Sequence, residues 1–141
     1  MNRKIVSLII VLLPLFLIGC GTGHVSLSGR VTYSDDGSPL EAGTVIFQPV
    51  VGADKFYARG EIGQDGKYVV ATYNPKDGLP PGEYQIFVNG ATRNEGNKGQ
   101  FVIPLISSKY TAAETSELVL DINRSTKTFD FSVDRAPGSK K

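Results

Sequence analysis

The sequence has no tryptophan, one cysteine (Cys20) and one histidine (His24). A lone cysteine cannot close an internal disulfide. One Cys and one His leave little material for a metal or redox centre, so neither a metal nor a cofactor is expected. A serine nucleophile needs a base within hydrogen-bond reach, and a single His near the start of the chain argues against a Ser-His-acid site. An excess of one charge is lacking too. With 15 basic and 14 acidic residues there is no electrostatic case for nucleic acid, where a clustered basic face is expected. The Lys140-Lys141 end is too short to change this. Long apolar runs are also missing. Ile5 to Ile18, broken at Pro14, would span roughly 21 Å as a helix, short of the ~30 Å hydrocarbon core. Helical periodicity is scarce: Ser108 to Ser116 is the one candidate, and it has no clear apolar stripe.

What is present begins with a basic head, Met1-Asn2-Arg3-Lys4, followed by that short apolar run and small residues. This order describes a secretory signal rather than a membrane span. The run ends in Leu17-Ile18-Gly19-Cys20, which resembles the bacterial lipobox. The resemblance implies cleavage between Gly19 and Cys20, a diacylglycerol on the Cys20 thiol, and an acylated new amine. Two or three chains at ~0.8 kcal/mol per buried CH₂ hold a protein firmly where one would not. Gly21 in place of Asp implies, in a Gram-negative host, release to the outer membrane. The expected partner is thus the membrane, through the lipid on Cys20. Losing Arg3 and Lys4 with the signal leaves 13 basic and 14 acidic side chains. The expected division is a signal peptide over 1–19, a lipidated Cys and tether over 20–24, one domain over 25–134 and a flexible tail over 135–141.

The domain reads as strands. Val25, Leu27, Gly29, Val31 and Tyr33 alternate with polar residues, as on a half-buried strand. Ser34 to Pro39 is a turn built from Asp, Gly and Pro. Further strands are expected over 43–48, 56–62, 67–72 and 84–88, with Gly63-Gln64-Asp65-Gly66 as a hairpin turn. The stretch 74–81, with three prolines and a glycine, is excluded from regular structure, and 89–100 reads as a polar, Gly-rich, mobile loop. Phe101-Val102-Ile103 is expected to return to the core. Residues 117–122 and 127–133 read as a last pair around Asn123 to Thr126. Seven short strands at this spacing predict an all-β fold, a β-sandwich.

Several short motifs then fall in order: Gly29-Arg30-Val31-Thr32-Tyr33, Gly37-Ser38-Pro39-Leu40, Gly43-Thr44-Val45-Ile46-Phe47, Asp65-Gly66-Lys67-Tyr68 and Pro81-Gly82-Glu83-Tyr84-Gln85-Ile86. Together they resemble the carboxypeptidase regulatory-like domain. Ile103-Pro104, Lys109-Tyr110 and Thr115-Ser116-Glu117-Leu118 resemble the ending of small lipoproteins of this type from planctomycetes. The resemblance implies a seven-stranded Greek-key sandwich of transthyretin-like (prealbumin-like) form, covering most of 25–133, and no catalysis. Transthyretin-like folds include 5-hydroxyisourate hydrolase, but that family uses several histidines and a C-terminal Tyr-Arg-Gly-Ser, where this chain has His24 alone and ends Pro-Gly-Ser-Lys-Lys.

Candidate sites remain few. Tyr68 and Tyr84 fall on the inward phase and are expected in the core. Tyr110 is weighed between simple packing and a hydroxyl bonded to nearby backbone, as in a tyrosine corner. His24 reads as a solvated linker residue, and Asp35-Asp36 as turn residues. Asp35, Asp36, Asp65 and Asp77 offer loop oxygens without EF-hand spacing. An isopeptide crosslink from Lys67 to Asn89 or Asn123 has nothing to mark it. Tyr57 and Phe87 fall on the outward phase and form the candidate binding surface, for a glycan or an envelope protein, unless loops cover them. The sequence therefore points to a lipid-anchored, non-catalytic structural or binding module of a bacterial envelope. The alternative is a carbohydrate- or peptide-binding accessory subunit of a larger complex.

Overall fold

The period-two pattern builds two facing sheets. The computed structural model describes residues 23–52, 57–97 and 101–139. Residues 1–22, with the expected signal, the Gly19–Cys20 cleavage point and the lipidation site Cys20, lie outside the described residues. Among the described residues there are nine strands: β1 (Ser28–Tyr33), β2 (Thr44–Pro49), β3 (Ala58–Glu61), β4 (Lys67–Val69), β5 (Gly82–Asn89), β6 (Thr92–Glu95), β7 (Phe101–Pro104), β8 (Leu118–Ile122) and β9 (Phe131–Val133). One sheet has the order β4-β1-β9 and the other β3-β2-β5-β8, while β6 and β7 form a separate two-stranded ribbon. The seven sheet strands are those the alternation predicts, and they make an all-β sandwich of two facing sheets. Among the described residues no helix is long and apolar enough to cross a membrane.

The inward phase of each strand fills the space between the sheets. Val31 and Tyr33, Val45 and Phe47, Ala58, Tyr68, Tyr84, Ile86 and Val88, Ile122 and Val133 join one buried cluster with Leu27, Leu40, Val70 and Leu79. Phe47 meets Tyr84 edge-on and lies tilted against Tyr68, geometries that aromatic quadrupoles favour. Both core tyrosines keep their hydroxyls paired. Tyr68 donates to the Phe129 carbonyl at 2.5 Å, and Tyr84 to the Pro80 carbonyl at 2.8 Å. Burial pushes the Tyr84 hydroxyl up to about 12 and the Tyr68 hydroxyl higher still, so both stay donors at neutral pH. Tyr84, four residues after its acceptor, therefore holds the tyrosine-corner role weighed above for Tyr110. Tyr110 bonds a side chain instead, the Asp134 carboxylate at 3.2 Å.

Two glycines allow close approaches. A Cβ on Gly29 would overlap the Phe129 carbonyl oxygen and lie 2.7 Å from the Tyr68 hydroxyl. Gly66, at φ 79°, completes the turn after β3, and a Cβ there would come within 2.5 Å of the Val31 carbonyl oxygen.

Four expectations need correction. Residues 89–100 are not one loop: Thr92–Glu95 is β6, paired in register with Phe101–Pro104. It carries no buried face, so it leaves no alternation to read. For the same reason Phe101 and Val102 do not return to the core; each is 64% exposed, and Leu105 and Ile106 are buried instead. Residues 117–122 and 127–133 do not pair with each other. The Asn123–Thr126 turn exists, with Thr126 N bonded to the Asn123 carbonyl, but β8 pairs with β5 and β9 runs parallel to β1 in the opposite sheet. Finally, the segment after β9 is packed rather than frayed. Ala136 N bonds the Leu105 carbonyl, and Ala136 and Ser139 are buried. Ser108–Thr111 is a 3-10 turn and α1 (Ala113–Ser116) a single helical turn, stopped by Glu117 at φ 56°.

Strand directions sort the loops into two ends. The near end holds the lead-in residues Gly23 and His24, residues 50–52 after β2, the 70–81 loop and the β8–β9 turn. The far end holds the β1–β2 turn, the β3–β4 turn, the ribbon and the C-terminal segment. Nine steps from His24 to Tyr33 at ~3.3 Å each separate the ends by roughly 30 Å.

Candidate functional site

The parallel pairing of Tyr33 with Val133 is what assembles the far end. Parallel neighbours end on the same side, so Ser34-Asp35-Asp36 and Asp134-Arg135, a hundred residues apart in the chain, leave their strands together. The Ser34 hydroxyl donates to the Asp134 carboxylate. Arg135 sits over the Tyr33 ring, its guanidinium carbon 3.5 Å from the ring centroid, a short cation–π contact. From there its Nε reaches Asp35 at 2.9 Å, and its Nη2 reaches Asp36 at 3.0 Å and the Ser38 hydroxyl at 2.8 Å. Planar guanidinium geometry makes such forked contacts directional. The Arg135 side chain is only 16% exposed.

The turn is tightened from within. Asp36 Oδ1 accepts from both the Ser38 amide at 2.9 Å and the Ser38 hydroxyl at 2.6 Å. These two bonds, with Arg135 adding less, hold the Asp36 carboxyl down to about 2. Asp134 is lowered by its bonds from Ser34 and Tyr110. Burial raises the Tyr33 hydroxyl and Arg135 partly offsets that.

Tyr33, Asp35, Asp36, Ser38 and Arg135 form one wall of an open cleft of about 970 Å³, which Leu105 also lines. Pro39, Glu41 and Ala42 continue that wall, Gln64 enters from the β3–β4 turn, and Thr92 and Arg93 close it from the ribbon. Arg93 is itself held by Glu95 through Nε at 3.0 Å. The cleft thus presents both charge signs and several amide and hydroxyl groups at fixed positions. Among its lining residues the Ser38 hydroxyl donates to Asp36, a carboxylate that Arg135 also holds, and among the described residues no group of three His, Cys, Asp or Glu could hold a metal ion. The arrangement can bind by charge and hydrogen bonding. A second, shallower groove of about 610 Å³ runs beside β3 and β4, between Arg59, Glu61, Lys67 and Tyr73.

Of the residues singled out from sequence, Asp35 and Asp36 line the cleft and the candidate binding surface falls elsewhere. Tyr57 and Phe87 lie on the outer face of the four-stranded sheet, away from the cleft. Phe87 is half-buried, directly across from Ile46, and Tyr57 is exposed. His24 is not a solvated linker residue: it is half-buried, stacked on Tyr73 at 6.5 Å, with its Nδ1 buried and unpartnered among the described residues. Asp77 is occupied as an acceptor for the Thr72, Tyr73 and Asn74 amides, at 2.7, 3.0 and 2.9 Å. Lys67 is exposed and pairs with Asp65, so it lacks the buried setting an isopeptide bond needs. The cleft residues Tyr33, Arg93 and Arg135 had no sequence signal beyond the turn chemistry of Asp35-Asp36. Arg135 is brought to them by a pairing that local pattern does not encode.

No family model matches the chain, and the curated proteins return no match. Several solved structures are similar over part of their length. A DUF3823 family protein from Bacteroides ovatus is 17% identical, with a TM-score of 0.47 over 79% of this chain and 45% of its own. BcpA, the major pilin subunit of Bacillus cereus, is 14% identical, with a TM-score of 0.49 over 79% of this chain and 30% of its own. A DUF3823 family protein from Parabacteroides merdae is 18% identical, with a TM-score of 0.44, and the chain covers 46% of it. The chain thus spans less than half the length of each. At these scores the likeness says nothing about function.

Proposed function

We propose that the protein is a lipid-anchored, non-catalytic binding module of a bacterial envelope, tethered through Cys20 and working through the far-end cleft. The anchor rests on the Leu17-Ile18-Gly19-Cys20 motif and the basic, apolar segment before it. Release to the outer membrane, on the periplasmic or surface face, follows from Gly21 in a Gram-negative host. The absence of catalysis rests on His24, the sole histidine, lying at the near end, the sandwich's length from the cleft. The observation that carries the binding role is the convergence of Arg93, Arg135, Asp35, Asp36, Glu41 and Gln64 around one cleft. A purely structural module would present only convex loops over a filled core.

That convergence favours the accessory-subunit reading, and it favours a peptide over a sugar. Sugar rings stack on open aromatic faces, and the Tyr33 face at the cleft is covered by the Arg135 guanidinium. What remains is paired charge and hydrogen-bonding groups, suited to an extended segment of a partner protein. The acylated protein, recovered from envelope fractions with whatever accompanies it, tests this. One stoichiometric partner, lost on Arg93→Ala, is the expected result. Recovery of the protein alone, or of a partner indifferent to cleft substitutions, would return it to a structural role.

A further inference from the structure

The near end of the sandwich exposes apolar side chains. Val51 is 90% exposed and Val50 47%, just past β2; Tyr73 is 72% exposed, past β4; Tyr57 is 46% exposed, just before β3. Each stands where a strand enters or leaves this one end. Lys76, Arg124 and Lys127 are exposed in the loops of the same end beside the exposed carboxylates Glu83 and Asp121, while the Asp77 carboxylate there is spent on three backbone amides. Tyrosines beside aliphatic residues, with cations at the rim, are the composition of a lipid–water interface.

The chain enters at this end. Val25, bridged to Leu79, is five residues from Cys20. Five extended residues reach at most roughly 17 Å. We infer that the near end lies against the phospholipid surface, with Val51, Tyr57 and Tyr73 at the headgroup level, so that the cleft faces away from the membrane. This rests on the anchoring proposed above, and it adds an orientation that anchoring alone does not require. A tether of this length would equally permit a domain lying on its side. An oriented domain holds the cleft roughly 30 Å above the bilayer, where a partner approaches it freely.

Tryptophan is absent from the chain, so one introduced indole is an unambiguous probe. Val51→Trp places it at the near end and Val102→Trp on the exposed ribbon at the far end. Both sites are exposed, and circular dichroism checks that both variants fold. The full-length acylated proteins are reconstituted in phosphatidylethanolamine–phosphatidylglycerol vesicles containing lipids brominated on the acyl chain, and floated to isolate the bound fraction. The expected result is a blue-shifted V51W emission quenched about threefold or more beyond that of V102W, as for an interfacial indole. Equal quenching, or stronger quenching of V102W, overturns the orientation while leaving the anchor intact. Failure of both variants to float with the vesicles removes the anchor itself, and the orientation with it.

Discussion

Replacing Gly29 by alanine tests how the two halves of the β4-β1-β9 sheet are joined. The new methyl would overlap the Phe129 carbonyl oxygen and crowd the Tyr68 hydroxyl at 2.7 Å. Those two groups are bonded to each other, so the methyl lands on the bond itself. Separating them leaves a buried hydroxyl without its acceptor, at ~1–3 kcal/mol. Shifting the backbone at Phe129 adds an overpacking cost of similar size, ~1–3 kcal/mol. A total of ~3 kcal/mol lowers Tm by roughly 12 °C in a domain of this size. Tyr68→Phe removes only the bond and costs ~1 kcal/mol, about 4 °C. The double variant separates the two terms. If the hydroxyl alone obstructed the methyl, Tyr68→Phe would restore Gly29→Ala toward the single-variant level. Because the carbonyl is the nearer obstacle, the double variant stays close to Gly29→Ala. Thermal and urea unfolding followed by circular dichroism measure all three. A Gly29→Ala protein within ~0.5 kcal/mol of the parent, the range of a bland surface change, would refute the contact between Gly29 and Phe129 as described.

Tyr84→Phe removes the bond to Pro80 and is expected to cost ~1 kcal/mol in urea unfolding. Because burial raises the Tyr84 hydroxyl to about 12, the stability it carries is complete below the unfolded pKa near ~10 and lost as pH rises through the folded value; Tyr84→Phe flattens that alkaline limb. Asp36, held to about 2, contributes stability that is complete above ~4 and lost as pH falls toward its folded value. Since the Ser38 hydroxyl bond is the largest single cause that lowers it, Ser38→Ala raises the Asp36 pKa, and the residue-38 amide bond, which the variant keeps, still holds it below the ordinary carboxylate value, as carboxyl-carbon NMR titration reads directly. Phe87→Ala costs ~1–2 kcal/mol, below the ~3–5 of a core phenylalanine, and leaves partner recovery unchanged; a lost partner with unchanged stability would return Phe87 to the binding surface.

Much of the sandwich is legible in the sequence, because a half-buried strand writes its burial into every second residue. Leu27, Val31 and Tyr33, or Tyr84, Ile86 and Val88, declare their strands and their inward faces. Turn chemistry does the same at Asp65-Gly66, where a glycine at positive φ is required. The ribbon is illegible by the same logic. Thr92–Glu95 buries neither face, and its backbone bonds to Phe101–Pro104 leave no mark on residue type. Strand pairing across the chain is also silent. A turn at Asn123–Thr126 is plain, yet nothing local says that β8 and β9 part into opposite sheets. The cleft depends on that parting. Once β9 runs beside β1, Arg135 arrives over Tyr33 and locks the Asp35-Asp36 turn, and a segment that reads as a frayed tail becomes a wall. Tyr57 and Phe87 mark outward phase correctly, but outward phase alone does not say where a cavity forms.

The central claim is that this sandwich works while tied to a membrane through Cys20, and intact mass spectrometry of the protein extracted from its own membranes tests it most directly. The account predicts a chain that begins at Cys20, with a thioether-linked diacylglycerol on its sulfur and residues 1–19 removed. An unmodified Cys20, or a chain still beginning at Met1, would contradict it.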